Sequence, residues 1–166
     1  MNEQVAFLWV NDSGYTNEIV HLFENNLEPD YISHSEILIG RSINPLEWDK
    51  DLHNILEKEI KSIFSNPESN QKIAAVFRNS SIEGFCIIQQ IDTRKNKIWV
   101  IEDIIVDKLT RNHGTGTKFL NWLIAEAAAR QINYMICESG IQNAGAHHFF
   151  VKNGFNPLSQ SFIKQI

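Results

Sequence analysis

The chain has 166 residues, 43% of them hydrophobic, and a formal net charge of −5, so one domain can bury a core without disulfides or a metal. Its two cysteines, Cys86 and Cys137, sit in apolar runs with no second ligand at metal spacing. They read as small buried hydrophobes in a reducing compartment, with neither a zinc site nor a disulfide framework. The acidic balance and the lack of a Lys/Arg cluster argue against nucleic acid and mildly favour a cationic small molecule, while the absence of a basic leader and of about 18 consecutive apolar residues argues against secretion and membrane insertion and for the cytoplasm.

Residues 4–10 (QVAFLWV) predict a strand, and a turn at Asn11–Gly14 leads into a helix with Ile19, Leu22, Phe23 and Leu27 on one face. From Glu28 to Asn44 the pattern breaks up around Pro29, Gly40 and Pro45, giving an irregular segment long enough to act as a wall or lid. A second helix follows on Leu52, Leu56, Ile60, Ile63 and Phe64. Three apolar segments then run over 72–77, 82–91 and 97–106, separated by turn-like Asn79–Ser81 and Asp92–Asn96, the pattern of an antiparallel meander. The third is apolar on both faces and is expected to be central. Beyond it Phe119, Leu120, Leu123, Ile124, Ala127 and Ala128 recur at helical spacing, before a strand over 133–139 and a last helix from Asn143 to Lys152. No repeat or linker divides the sequence, so residues 1–166 read as a single domain of mixed α/β (α+β) class.

The segment 106–119 (VDKLTRNHGTGTKF) carries the most chemistry: a buried strand ends, a basic loop turns through two glycines, and a helix begins. A helix start presents unpaired N–H groups and the positive end of its dipole, and glycine lets an anion approach the backbone. Arg111 adds a full positive charge. Gly114 and Gly116 could instead serve only a tight turn. The spacing fits neither the P-loop nor the dinucleotide fingerprint, since Phe119 stands at the third glycine of the latter.

Arg111-Asn112-His113-Gly114-Thr115-Gly116 resembles the R/Q-x-x-G-x-G/A signature of the GNAT acetyltransferases. Asn143, Ala146, Phe149, Phe150, Lys152, Gly154 and Phe155 fit that family's later N-x-x-A-x-x-F-Y-x-K-x-G-F pattern, with Phe150 in place of the tyrosine. The likeness is strong over residues 98–155, and the first 70 residues agree in element order only. It implies a mixed, mostly antiparallel sheet of about six to seven strands, splayed at its centre, with helices on both faces. It also implies acetyl-coenzyme A as acetyl donor and no metal. The backbone of Asn112, His113, Gly114, Thr115, Gly116 and Thr117 would bind the pyrophosphate, Ile104, Ile105 and Val106 the pantetheine, and Asn143 and Phe150 the coenzyme arm.

Acetyl transfer needs an amine lone pair, and an amine like that of lysine, with a pKa of about 10.4, is protonated at neutral pH. Glu102 and Asp103, three to four residues before Val106, resemble the paired acids of polyamine and amino-sugar acetyltransferases. Neighbours on a regular strand point to opposite faces, so without a bulge only one of them can face the acceptor. Glu102 is the favoured base; both could instead be acids paired near a sheet end. Phe150 has no proton for the departing thiolate. That thiolate, with a pKa of about 8.5, leaves tolerably unaided. His147, on the same helical face as Asn143 and Phe150, is a surrogate acid or an ordinary surface histidine. Nothing in the sequence places a base beside Cys137 to make it a nucleophile.

The acceptor wall falls to residues 28–45, with Tyr31, His34 and Glu36 as candidate substrate-binding residues beside Asp30 and Arg41, or as parts of a solvated loop. Trp48 and Trp122 lie off the main apolar faces and are candidates for a homodimer contact. The expected activity is transfer of acetyl from acetyl-CoA to a primary amine of a small molecule or peptide, by direct attack with a carboxylate base. The alternative is an impaired acyl-CoA-binding sensor or interaction module of the same fold. Acceptor identity, preferred acyl length and oligomeric state are not encoded in any motif.

Overall fold

The computed structural model describes residues 5–166. In chain order its elements are β1 (Val5–Val10), α1 (Thr16–Asn25), α2 (His34–Leu38), β2 (Ser42–Asn44), β3 (Glu47–Trp48), α3 (Leu52–Ser65), β4 (Gln71–Arg78), β5 (Ser81–Asp92), β6 (Lys97–Val106), α4 (Thr115–Ala129), β7 (Tyr134–Cys137) and α5 (Ala144–Lys152). Gln4, the first residue of the expected opening strand, lies outside the described residues. The chain forms two compact units, one reaching to Asn26 and running again from Glu57 to Cys137, the other Leu27–Leu56 with Glu138–Ile166. The boundary falls within α3.

The first unit is built on a five-stranded sheet in the order β1-β4-β5-β6-β7. All pairs are antiparallel except β6 with β7, which is parallel. The middle strand is β5, not β6 as the apolar run at 97–106 suggests, and Ile82 through Ile88 are buried on both faces. In β6 the buried residues are Trp99, Ile101, Asp103 and Ile105, with half-buried residues between them.

Directly opposed residues share a face and successive residues alternate, so the register assigns each side chain its side. Phe7, Trp9, Trp99 and Ile101 fall on one face, where α4 lies: Phe119 stacks on Phe7 at 5.8 Å and Trp122 packs on Trp9 at 5.6 Å. Trp122, a candidate for a subunit contact by its position in the sequence, is thus part of an intramolecular aromatic cluster. The C-terminal end of α4 is fixed on the same face. Glu126 Oε2 accepts from Trp9 Nε1 at 2.7 Å and pairs with Arg130 at 2.9 Å, while the Arg130 guanidinium lies 5.1 Å from the Trp9 ring. The opposite face carries Phe85, which meets Phe23 of α1 at 6.2 Å. Ile19, Val20, Leu22 and Phe23 form the buried stripe of α1.

The second unit corrects the expectation of an irregular segment at 28–44. Pro29–Tyr31 is a turn of 3₁₀ helix, Ser33–Glu36 closes a capping box at the start of α2, and β2 pairs antiparallel with β3. Trp48 lies within this unit, 6.1 Å from the Tyr31 ring. Gly140 is where two of its strands of chain meet most closely. A Cβ there would stand 2.6 Å from the Ile32 carbonyl oxygen and nearer still to that of Asp30. Both are backbone atoms, so no rotamer change relieves the contact. Gly140→Ala is therefore expected to lower unfolding free energy by about 1–3 kcal/mol, the usual cost of overpacking. Urea titration measures it, and a change under about 0.5 kcal/mol, the size of an ordinary surface substitution, would show that the Asp30–Ile32 turn moves aside freely.

Candidate active site

The site begins where β6 loses one neighbour. Pairing with β7 covers Ile98 to Ile101 only, opposite Tyr134 to Cys137, whereas pairing with β5 continues to Val106. Residues 102–106 thus have a strand partner on one side alone. The splaying that the GNAT resemblance implies would begin here, with Ile104, Ile105 and Val106 on the open stretch.

The chain leaves β6 through a loop pinned at both ends. Asp107 N donates to Glu83 O at 2.7 Å and Thr110 N to Asp107 O at 2.9 Å. Arg111 Nε donates to Val106 O at 2.9 Å and its terminal nitrogen reaches Asn26 Oδ1 at 3.3 Å. Arg111 therefore anchors the loop as well as charging it. Asn112 (φ 68°) and Gly114 (φ 80°) take the left-handed conformation, and Gly114 is the N-cap of α4. It supplies no side-chain acceptor to the first turn, leaving the helix-start amides around Thr115, Gly116 and Thr117 to an outside anion. Residues Arg111 to Gly114, including His113, are exposed, and Gly116 and Thr117 half-buried. This arrangement suits a phosphate group.

Glu102 and Asp103 lie on the open stretch, and a β-bulge overturns the alternation expected for them. Ile87 is opposite Asp103 and Ile88 opposite Ile101, so Glu102 is the extra residue. Ile87 and Ile88 face opposite sides, hence so do Ile101 and Asp103, although they are two residues apart. Gln71 Nε2 donates to Glu102 Oε2 at 2.6 Å. Gln71 opposes Gln89, which shares its face with Ile87 and therefore with Asp103. Both carboxylates belong to the same face of the sheet, that of α1, Asp103 buried at 1% exposure and Glu102 half-buried.

Burial pushes the Cys86 thiol well up, with the charges of Asp103, Glu102 and Cys137 adding to it, so Cys86 keeps its proton at neutral pH and is no nucleophile. Cys137 is half-buried rather than buried as expected. Among the described residues no group of three or more His, Cys, Asp or Glu could hold a metal ion.

The remaining candidates belong to the second unit. Asn143 caps α5, its Oδ1 accepting from Ala146 N at 3.0 Å. Phe150 is buried between Phe149 and Phe155, with ring centroids 5.4 and 5.3 Å away. His147 is exposed. Tyr31 packs on Trp48. Glu36, 5% exposed, accepts from Ser33 N at 2.7 Å and Ser33 Oγ at 2.6 Å, so its carboxylate serves the capping box. His34 Nε2 lies 3.4 Å from Glu138 Oε2, and Glu138 Oε1 is 2.7 Å from Ser33 Oγ.

Three residues passed over in the sequence, Asn26, Gln71 and Glu138, touch these groups. All three act across 31 to 105 positions of sequence, beyond any spacing rule; the neighbouring Ser33-x-x-Glu36 capping box, by contrast, has a local signal.

The family model described as the acetyltransferase (GNAT) family matches residues 40–155. The chain is similar in structure to a transcriptional regulator from Bacillus halodurans C-125, with a TM-score of 0.72 at 16% identity over 98% of this chain and 100% of that one. It is similar to aminoglycoside N-acetyltransferase AAC(6')-Iy in complex with CoA, at 0.71 and 9% identity over 100% and 97%. A third is the aminoglycoside acetyltransferase meta-AAC0020 from an uncultured soil metagenomic sample, at 0.67 and 13% over 99% and 96%. No curated protein matches the chain significantly. At these identities the structures speak for the fold alone, while the family model spans more than half the sequence, including the β6–α4 loop and α5. The chain belongs to the acetyltransferase (GNAT) family.

Proposed function

We propose that residues 1–166 form a single cytoplasmic domain that transfers an acetyl group from acetyl-CoA to a primary amine. The observation that carries this reading is the uncapped start of α4, opening beside the one-sided end of β6. Those amides would hold the coenzyme pyrophosphate, and the backbone of Ile104 to Val106 the pantetheine. Glu102 would take the proton of the incoming ammonium directly or through water, while Gln71 fixes one carboxylate oxygen. A small-molecule amine is supported by the two structurally similar aminoglycoside acetyltransferases, one of them also known with sisomicin. No described helix is long and apolar enough to cross a membrane. Thiol release from acetyl-CoA across polyamines, amino sugars, aminoglycosides, amino acids and peptides tests the activity and names the acceptor. A second reading, an acyl-CoA sensor with impaired catalysis, is favoured by Phe150, which stands where the family motif has tyrosine.

Gly116→Trp is expected to abolish acetyl-CoA binding by calorimetric titration in a folded protein, because an indole at the helix start fills the place of the anion. Unchanged affinity would move the phosphate site elsewhere.

Glu102→Gln is expected to cut turnover at pH 7 by about 10²–10⁴-fold, a typical loss for a positioned base. The deficit should shrink as pH rises towards about 10, where the amine sheds its proton unaided. The bulge makes the contrasting variant informative: a parental Glu102→Gln with a crippled Asp103→Asn would assign the base to Asp103.

Phe150→Tyr tests the leaving-group step by restoring a hydroxyl at the ring tip. A few-fold rise in kcat is expected, roughly the lower end of general-acid effects for an imperfectly aligned donor. If His147 already donates, His147→Ala slows the parent severely and Phe150→Tyr rescues the double variant more than it helps the parent. Indifference to both changes would leave the thiolate to depart unassisted by this helix.

A further inference from the structure

Asn26 is a buried polar residue, 4% exposed, just past the end of α1 and 85 positions before Arg111 in sequence. Its side chain has a donor and an acceptor end. Nδ2 donates to Leu22 O at 2.8 Å, satisfying a carbonyl of the last helical turn. Oδ1 accepts from Lys108 N at 2.6 Å and lies 3.3 Å from the Arg111 terminal nitrogen. One amide group thus ties the end of α1 to both the start and the middle of the β6–α4 loop.

The loop needs such a tie. Asn112, a non-glycine residue, is held at φ 68° within the exposed stretch Arg111 to Gly114. A loop that had to order itself around an anion would spend binding energy on lost freedom, whereas one already held in place binds more tightly. Arg111 needs the same support. With Nε on Val106 O, its free swing is removed only when the terminal nitrogen also has an acceptor, and Asn26 Oδ1 provides it.

We propose that Asn26 is a positioning residue for coenzyme binding: its Oδ1 latches Lys108 and Arg111 and so presets the loop that receives the phosphate. This rests on the acetyl-CoA reading above.

The experiment separates the two ends of the amide. Asn26→Ala removes donor and acceptor; Asn26→Asp keeps an acceptor for Lys108 N and Arg111, loses the donation to Leu22 O and adds a negative charge beside Arg111. Acetyl-CoA affinity is measured by calorimetry on the parent and both variants, with hydrogen exchange at residues 108–114 and a thermal melt as companions. The Asn26→Ala variant is expected to bind about tenfold more weakly and exchange faster at 108–114. Asn26→Asp should keep parental exchange at 108–114, even with a lowered melting temperature and with affinity reduced by its charge beside Arg111. Equally fast exchange at 108–114 in both variants would assign Asn26 to capping α1 and overturn the latch, as would parental affinity in Asn26→Ala. Should Asn26→Ala fail to fold, exchange at 108–114 in Asn26→Asp decides alone: parental protection upholds the latch and faster exchange overturns it. A parent that binds no acetyl-CoA at millimolar concentration refutes the coenzyme reading itself, an outcome visible without either variant.

Discussion

The early end of one strand pairing governs everything around the candidate site. β7 accompanies β6 only to Ile101, while β5 follows it to Val106. Backbone N–H and C=O groups are obligatory hydrogen-bonding groups, so five residues with a partner on one side must find others. The carbonyl of Val106 finds Arg111 Nε, while the amide of Asp107 continues the β5 side at Glu83 O. The stretch ahead of that carbonyl, Ile104 to Val106, is an extended backbone edge of the kind an extended amide-bearing ligand pairs with. The pantetheine arm is such a ligand.

The same strand end fixes the helix that follows. Arg111 folds back on Val106, and the chain beyond it turns through left-handed backbone at Asn112 and Gly114. Glycine adopts that conformation without cost, and its lack of a side-chain acceptor leaves the first turn of α4 uncapped. A serine or aspartate there would satisfy one of those amides and compete with any anion. At the far end of α4, Glu126 and Arg130 hold the helix to Trp9 of β1.

Much of this was legible in the sequence, because the elements that matter have strong periods. The strands at 72–77, 82–91 and 97–106 emerge within about a residue of β4, β5 and β6, and the turn of Gly114 and Gly116 lies at the start of α4 as expected. What stayed hidden has specific physical causes. A bulge adds a residue without disturbing apolar composition, so IEDIIV reads as simple alternation although Glu102 shifts the phase and brings both acids to one face. The apolar run at 97–106 points to β6 as the centre of the sheet because β6 changes its buried face at that same bulge, which makes it look apolar throughout. The capping box at Ser33–Glu36 was visible but obscured by the neighbouring Pro29 and Gly40. Asn26 follows a helix whose end any asparagine suits, and nothing local announces a partner beyond residue 100.

These constraints also divide the labour among side chains. The proposed coenzyme contacts fall mainly on backbone groups, which tolerate substitution wherever backbone conformation survives. The reaction falls on side chains, and there the bulge has a consequence beyond orientation. Two carboxylates adjacent in sequence and on the same face repel when both are ionised, so a cation beside them is favoured. Asp103 is buried and Glu102 half-buried, which gives the pair one inner and one outer member. In the proposed reaction the outer carboxylate meets the ammonium and removes its proton, and the inner one raises the negative potential that draws the cation in. In the proposed reaction a cationic acceptor is more than a matter of net charge: the −5 of the whole chain is diffuse, whereas Glu102 and Asp103 lie together where the pairing of β6 with β7 has ended.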